Sequence, residues 1–213
     1  VNSRSLRNTF INFKQSRNNK SIMINALKDI NIQISEGDRL GVIGNNGSGK
    51  TTFLRVCAGA IEPDVGEVKI SGRVTSLIDI GFGLEEDATG YENIILKGLY
   101  LKRSPNFSKK LFGSIEKISD LGNFLNLPIR TYSSGMRMRL AYAIASAEEP
   151  QILIMDEWLS VGDKEWIAKM SSKIDSFVFS SAIFILASHN EELIYQLCNK
   201  IIYLDNGNLV NSK

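Results

Sequence analysis

Short apolar runs recur along the chain and predict buried strands. They read RLGVIG at 39–44, QILIM at 151–155, AIFILA at 182–187 and KIIYL at 200–204, and segments long enough for helices lie between them. Strands that are apolar throughout and alternate with helices are typical of a parallel sheet that is covered on both faces. The pattern therefore predicts an α/β fold.

Two further segments alternate apolar with polar residues, which is the pattern of a half-buried strand. Ile30, Ile32 and Ile34 alternate with polar neighbours, and the stretch GEVKISGRV, which begins at Gly66, alternates again beside a glycine turn. The sequence DNGN at 205–208 has the residues of a tight hairpin turn. We therefore expect a mixed sheet core with an antiparallel β edge.

Helical patterns dominate from about residue 85 to residue 148. The segments are YENIILKGLYLK, FSKKLFGSIEKIS and YSSGMRMRLAYAIA. In the last of them, apolar residues recur at helical spacing, at Met136, Leu140, Ala143 and Ile144. We predict that residues 85–148 form an α-helical subdomain inserted into the α/β core of a single domain that comprises residues 1–213.

Composition and charge narrow the possible partners. A net charge of +2 over 213 residues, without a long basic run, argues against a protein that coats nucleic acid. Residues 1–21 nevertheless hold five basic side chains and no acid. We expect this basic amphipathic segment to contact lipid headgroups, a membrane partner or its own domain.

No apolar run approaches the roughly 18 residues that span a bilayer, so we expect any membrane role to be peripheral. Cys57 and Cys198 lack metal or redox spacing, as in a reducing compartment.

The stretch GNNGSGKTT matches the phosphate-binding P-loop pattern and lies between a predicted strand and a predicted helix, as that mechanism requires. Its backbone N–H groups would converge on phosphate oxygens, Lys50 would reach the β and γ phosphates, and the Thr51 hydroxyl would ligate magnesium. A plain glycine turn is the alternative interpretation. The candidate nucleotide-binding residues here are Gly44, Asn45, Asn46, Gly47, Ser48, Gly49, Lys50, Thr51 and Thr52.

Polar residues follow two of the predicted strands. Asp156 and Glu157 end the run ILIMDE, and His189 follows AIFILA. In a P-loop protein, Asp156 would hold the magnesium shell and Glu157 would polarise a water for attack on the γ phosphate. Taken alone, such an acidic pair caps a turn or helix, and a single histidine lies on the surface. In a sheet of this class, His189 would face the nucleotide from the carboxyl edge.

At this point the sequence resembles the ATP-binding subunit of ABC transporters over essentially the whole chain. The Walker A, Walker B, switch histidine and D-loop motifs resemble GNNGSGKT, ILIMDE, His189 and EWLSVGD in turn. The signature, usually LSGGQ, aligns with YSSGM at 132–136. The resemblance implies that Ser133 and the Gly135 N–H contact ATP held by a second subunit, and that Glu157, His189 and Lys50 act in catalysis. The family's Q-loop glutamine is missing, and Asp79 lies near its place as a candidate magnesium ligand.

The same stretches look like the ATPases that drive export of bacterial surface polysaccharides such as O-antigen, capsule and teichoic acid. This resemblance implies MgATP as substrate and cofactor, a homodimer across the ATP sites, and integral membrane permease partners. We expect a peripheral protein at the cytoplasmic face of the bacterial inner membrane, with no nucleic-acid partner. Two alternatives stay open, a soluble ABC-type ATPase and a regulatory nucleotide-binding module without turnover.

Overall fold

The computed structural model describes residues 25–78, 83–100, 103–157 and 164–210. Its helices and strands follow one another along the chain in this order: β1 Arg39–Ile43, α1 Lys50–Cys57, β2 Val74–Ser76, α2 Gly90–Tyr100, α3 Pro105–Lys110, α4 Phe112–Ser119, α5 Ser134–Ala145, β3 Ile152–Asp156, α6 Lys164–Phe179, β4 Ile183–Ala187, α7 Glu191–Leu197, β5 Lys200–Asp205 and β6 Asn208–Val210. Two short 3-10 helices, Gly122–Asn126 and Ile129–Thr131, precede α5.

The strands form one mixed sheet in the order β2-β3-β4-β1-β5-β6. The first five run parallel, and β6 pairs antiparallel with β5. The β5–β6 turn carries Asn206 and Gly207 at φ values of 47° and 82°, the pair of left-handed residues that a two-residue hairpin needs. The α/β class, the mixed sheet and the hairpin are thus confirmed.

Alternate residues of the central strands enter two different cores. On one face of the sheet, Leu153 and Met155 of β3 pack with α6 and α7 side chains. On the other face, Ile152 and Ile154 pack with Phe53 and other residues of α1. Because both faces are covered, β1, β3 and β4 are apolar apart from Arg39 and Asp156 at strand ends, which is why they could be recognised as continuous runs.

The segment between β2 and β3 is largely helical and has a core of its own. Its buried residues include Ile94 of α2, Ile115 of α4 and Leu140 of α5. Helix α5 also sends Met138 and Tyr142 into the core beneath α6, where the Trp166 ring meets Tyr142 edge to face at 5.4 Å. The Trp166 indole N–H donates to Ile118 O at 2.9 Å, which ties α6 to α4.

Three sequence predictions need correction within the described residues. The stretch after Gly66 is irregular up to Arg73, whose carbonyl oxygen accepts from Ile152 N at 3.0 Å. Its strand is confined to Val74–Ser76, because Gly72 has a φ of 124° and interrupts the extended backbone. Residues 30–34 alternate between partly buried and exposed, as predicted, but they form no ladder. The helix predicted from Phe107 is two helices, because Leu111 N bonds to Ser108 O at 3.1 Å in a tighter, three-residue step.

The apolar patterns of the described residues produce buried helices, not membrane spans. None of the helices there is both long enough and apolar enough to cross a bilayer. The basic segment at residues 1–21 lies outside the described residues, so its predicted contacts stay a prediction.

Candidate active site

The glycine-rich loop connects the buried end of β1 to the first turn of α1. Gly47 and Gly49 have φ values of 80° and 107°, a left-handed conformation that strains residues with a β-carbon. The Lys50 side chain is buried, and its ammonium donates to Gly44 O at 2.7 Å and Asn45 O at 3.2 Å. A single positive charge is therefore held inside the loop by the loop's own carbonyl oxygens.

The backbone at Ala26 and Lys28, which precede β1 in the sequence, packs against the glycine-rich loop and the β5–β6 turn. A β-carbon on Gly49 would lie 2.6 Å from Ala26 O, and one on Gly207 would lie 2.7 Å from the same oxygen. Gly207 N donates to Ser48 O at 2.9 Å, and Lys28 N donates to Gly207 O at 2.7 Å. The turn between β5 and β6 thus packs against the glycine-rich loop and stabilises it. The P-loop motif does not predict this contact.

The loop fits a polyphosphate. Its N–H groups lead into the N-terminus of α1, where partial positive charge favours an anion. Ser48 is 3% exposed, and its hydroxyl has no hydrogen-bond partner among the described residues. A β-carbon on Gly44 would collide with Leu204 O and the Ser48 hydroxyl, so the backbone there is closely packed. Lys50, Ser48 and the loop amides together form a set of hydrogen-bond donors suited to phosphate oxygens.

Oxygen ligands suited to magnesium meet at the next position. The Thr51 hydroxyl donates to Asp156 Oδ2 at 2.6 Å, although the two residues are 105 positions apart. Asp156 is the last residue of β3, and α1 packs on β3 and β4. Hydroxyl and carboxylate oxygens beside a phosphate site are the ligands that Mg²⁺ takes in nucleotide-binding proteins. The residues present therefore fit the metal, which would neutralise charge on the phosphates.

Glu157 and His189 are brought together beside this pair. His189 Nδ1 lies 3.0 Å from Glu157 Oε2, and their side chains are 78% and 37% exposed. The Ser188 hydroxyl donates to the same Oε2 atom at 3.2 Å. Glu157 has a φ of 64°, a left-handed conformation that is rare for a residue with a long side chain, and its N–H donates to Ala187 O at 2.8 Å. Strained backbone of this kind clusters at functional sites.

The signature stretch begins helix α5, as its spacing predicts. The Ser133 hydroxyl caps the helix by accepting from Met136 N at 3.2 Å, and Ser133 and Ser134 are both exposed. Arg137, in the first turns of the same helix, pairs with Glu86 at 2.7 Å. None of the contacts seen among the described residues joins Ser133 to the phosphate loop. The fold therefore brings together Lys50, Thr51, Asp156, Glu157 and His189, and leaves Ser133 and Gly135 on a separate surface.

Some candidates lie outside the described residues and others were missed. Asp79 falls in the first group, as do Ser160 and Asp163 of the predicted D-loop. Ser188 was missed, although its place between a buried strand and His189 is a signal that could have found it. Asn45, Asn46 and Thr52 belong to the loop and first helical turn as predicted, where Asn45 contributes its carbonyl oxygen to Lys50.

Comparison with known proteins identifies related sequences. Residues 27–160 match the family model described as ABC transporter. The O-antigen export system ATP-binding protein of Yersinia enterocolitica is 40% identical over 87% of this chain and 78% of its own length. The teichoic acids export ATP-binding protein of Shouchella clausii is 44% identical over 85% of this chain and 50% of its own length. The chain thus spans only about half of some curated relatives that it matches.

Solved structures agree on the fold. The ATP-binding cassette MJ0796, solved as a dimer in a post-hydrolysis state bound to ADP and Pi, superposes with a TM-score of 0.75. The match covers 92% of this chain and 94% of the cassette, at 23% sequence identity. The family model covers more than half of the 213 residues, and the Yersinia relative exceeds 30% identity over most of the chain. The chain therefore belongs to the ABC transporter family.

Proposed function

We propose that the chain is the ATP-binding and ATP-hydrolysing subunit of an ABC transporter that powers export of a lipid-linked cell-surface polysaccharide. The observation that carries the ATPase part is the meeting of the P-loop with the acidic pair, in which Thr51 donates to Asp156 at 2.6 Å. The polysaccharide part is supported by the names of the relatives, which export O-antigen in one case and teichoic acids in another.

Each residue of the site has a defined task in this proposal. The loop amides and Lys50 bind the phosphates, with the ammonium exchanging its carbonyl partners for phosphate oxygens. Thr51 and Asp156 would hold Mg²⁺, which neutralises charge on the β and γ phosphates. Glu157 orients a water and accepts its proton as the water attacks the γ phosphate. His189 contacts the Glu157 carboxylate and faces the same edge of the sheet.

A homodimer would complete the site. Ser133 and the Gly135 N–H lie at the exposed N-terminus of α5, a place that favours an anion. They have no described contact with their own P-loop, so we propose that they bind the γ phosphate held by a second copy. The dimeric state of the MJ0796 cassette is in keeping with this arrangement.

The helical segment offers a surface for a membrane permease. Leu96, Leu99 and Tyr100 of α2 are 41%, 49% and 80% exposed. Leu96 and Tyr100 line a groove of about 300 Å³ together with Leu84 and Lys97. Clustered exposed apolar side chains are typical of protein interaction sites. We propose that residues 85–148 form the subdomain that docks on the permease, and that the subunit is peripheral to the inner membrane.

The first test is the solution mass of Glu157→Gln by light scattering, with and without MgATP. We expect an ATP-dependent dimer, because this change keeps binding and removes the proton acceptor. The companion Glu157→Gln/Ser133→Arg should stay monomeric, whereas Glu157→Gln/Ser172→Arg, which alters an exposed serine of α6, should dimerise. Dimerisation of the Ser133 variant would contradict the proposed role of Ser133.

The second test separates transport from other uses of ATP. A tagged chain is expressed in its native host and recovered from detergent-solubilised membranes. We expect it to retain an integral membrane permease, and we expect cells that carry Lys50→Ala to accumulate lipid-linked polysaccharide inside the membrane. Recovery of ribosomes or DNA without a permease would favour the soluble ATPase instead.

A further inference from the structure

Ser188 occupies a buried position between the phosphate loop strand and the acidic pair. It follows β4 directly and is 1% exposed. Its N–H donates to Val42 O of β1 at 3.3 Å, and its hydroxyl donates to Glu157 Oε2 at 3.2 Å. The hydroxyl also accepts from Asn190 N at 3.1 Å. A single side chain thus connects Glu157 to the start of α7.

The direction of these hydrogen bonds follows from what each group can do. A backbone N–H can only donate, so the Asn190 N–H uses an acceptor position of the Ser188 oxygen. A carboxylate can only accept, so the hydroxyl proton points at Glu157 Oε2. Among the described residues, both polar contacts of Glu157, from Ser188 and from His189, are made through Oε2 and not through Oε1. Anchoring one carboxylate oxygen therefore leaves the other to accept a proton.

We infer that Ser188 is a positioning residue for ATP hydrolysis, which holds Glu157 Oε2 so that Oε1 meets the attacking water. This inference rests on the proposed function. In the step itself, the water oxygen bonds to the γ phosphorus, the bond from that phosphorus to the ADP oxygen breaks, and the water proton passes to Glu157. Ser188 exchanges no proton and touches neither water nor phosphate.

The difference in burial between the two side chains beside Glu157 Oε2 explains why Ser188 holds it more firmly than His189 does. The His189 side chain is 78% exposed and competes with water for its contact at 3.0 Å. Ser188 is enclosed, and its oxygen is held by the backbone of the next turn. Glu157 itself sits in a left-handed conformation, so its side chain leaves the strand in an unusual direction and depends on a fixed partner to orient it.

The test compares Ser188→Ala with Ser188→Thr and Asn190→Ala in steady-state ATP hydrolysis by the full chain. Asn190→Ala is the matched control, because it removes only the side-chain oxygen that accepts from Leu193 N at 3.2 Å and keeps the backbone N–H that donates to Ser188. We expect Ser188→Ala to lower kcat about 10- to 100-fold, the loss typical of a misplaced catalytic group, with KM for ATP within about threefold. Ser188→Thr should keep most of the activity, and Asn190→Ala should stay within about threefold of wild type in kcat.

A second measurement covers the case in which the threonine variant also fails. Single-turnover hydrolysis with enzyme in excess is measured for Glu157→Gln and for Glu157→Gln/Ser188→Ala. We expect equal residual rates, because the hydroxyl has nothing to position once the carboxylate is gone. A further drop similar to that of Ser188→Ala alone would overturn the inference.

The remaining outcomes separate this inference from the proposed function. A Ser188→Ala variant with kcat close to wild type, or an equal loss of kcat in Asn190→Ala, overturns the role of Ser188 while wild-type hydrolysis stands. Wild-type protein that binds MgATP but never hydrolyses it, even in the dimer, overturns the proposed ATPase and the positioning role together. Glu157→Gln serves as the inactive reference in every series.

Discussion

The left-handed backbone conformation of Glu157 predicts a measurable effect on the free energy of unfolding. Its φ of 64° brings a β-carbon close to the following carbonyl oxygen, which glycine avoids. We compare Glu157→Ala with Glu157→Gly. Both variants lose the carboxylate contacts with Ser188 and His189, so these contributions cancel in the difference. The remaining difference in stability between the two variants therefore reports the backbone conformation at residue 157.

The magnitude follows from two opposing terms. A β-carbon in this conformation costs about 1–2 kcal/mol. Glycine gains more freedom in the unfolded chain, which costs the folded state roughly 0.5–1 kcal/mol. The glycine variant should therefore be the more stable of the two by about 0.5–1 kcal/mol. For a chain of 213 residues, 1 kcal/mol shifts Tm by roughly 2–4 °C, so we expect a difference of about 1–4 °C.

The assay is thermal unfolding followed by circular dichroism, with a control pair of opposite sign. Lys117 is exposed inside helix α4, where glycine is less stable than alanine by about 1 kcal/mol. Lys117→Gly should thus melt below Lys117→Ala, whereas Glu157→Gly should melt above Glu157→Ala. If Glu157→Ala melts at or above Glu157→Gly, the residue does not adopt the left-handed conformation in solution and the reasoning fails.

Three other predictions concern binding and pH. Lys50→Ala should weaken binding of a fluorescent ATP analogue by about 100-fold, since a buried charge contact with phosphate is lost, while thermal unfolding stays cooperative. Thr51→Val should bind ATP about equally well with and without Mg²⁺, whereas titration of wild type should show a clear preference for MgATP. Burial raises the pKa of both thiols, Cys57 and Cys198, to about 11. Because the unfolded chain releases these protons first, the free energy of unfolding in urea should fall from about pH 9 to about pH 11, and the Cys57→Ala/Cys198→Ala variant should show a smaller fall.

The central strands could be predicted because burial on both faces leaves a continuous apolar run. The bounds of β1, β3, β4 and β5 agree with those runs to within one or two residues. Alternating patterns were less reliable, because a half-buried strand also needs a backbone partner that the pattern does not specify. Ile30, Ile32 and Ile34 do lie against the core under α1, but without a ladder. The alternating pattern thus predicted which side chains are buried, but not whether the backbone pairs with another strand.

The site was predictable to the extent that its chemistry requires fixed spacing. The phosphate loop must place Lys50 and Thr51 at the start of a helix, and it does so here. The meeting of Thr51 with Asp156, which lie 105 positions apart, was predicted only from the role that an acid after a strand has in P-loop proteins. Ser188 was not predicted, because a serine after a strand belongs to no motif. Its role depends on contacts with Val42 and Glu157, which are distant from it in the sequence.

The strand order explains why that one position can connect the whole site. Strand β4 lies between β1, which carries the phosphate loop, and β3, which carries the acidic pair. The outer two are roughly 10 Å apart, since neighbouring strands are separated by about 4.8 Å. A residue at the end of β4 is placed to contact both by short bonds, and Ser188 does so through Val42 O and Glu157 Oε2. Helix α1 spans the same distance on the other face, because it packs over β4 and reaches β3 with Thr51. The phosphate loop and the acidic pair are therefore connected by two independent contacts, one through Ser188 and one through Thr51. Under the proposed function, loss of the Ser188 contact should slow hydrolysis, while the Thr51 contact preserves nucleotide binding.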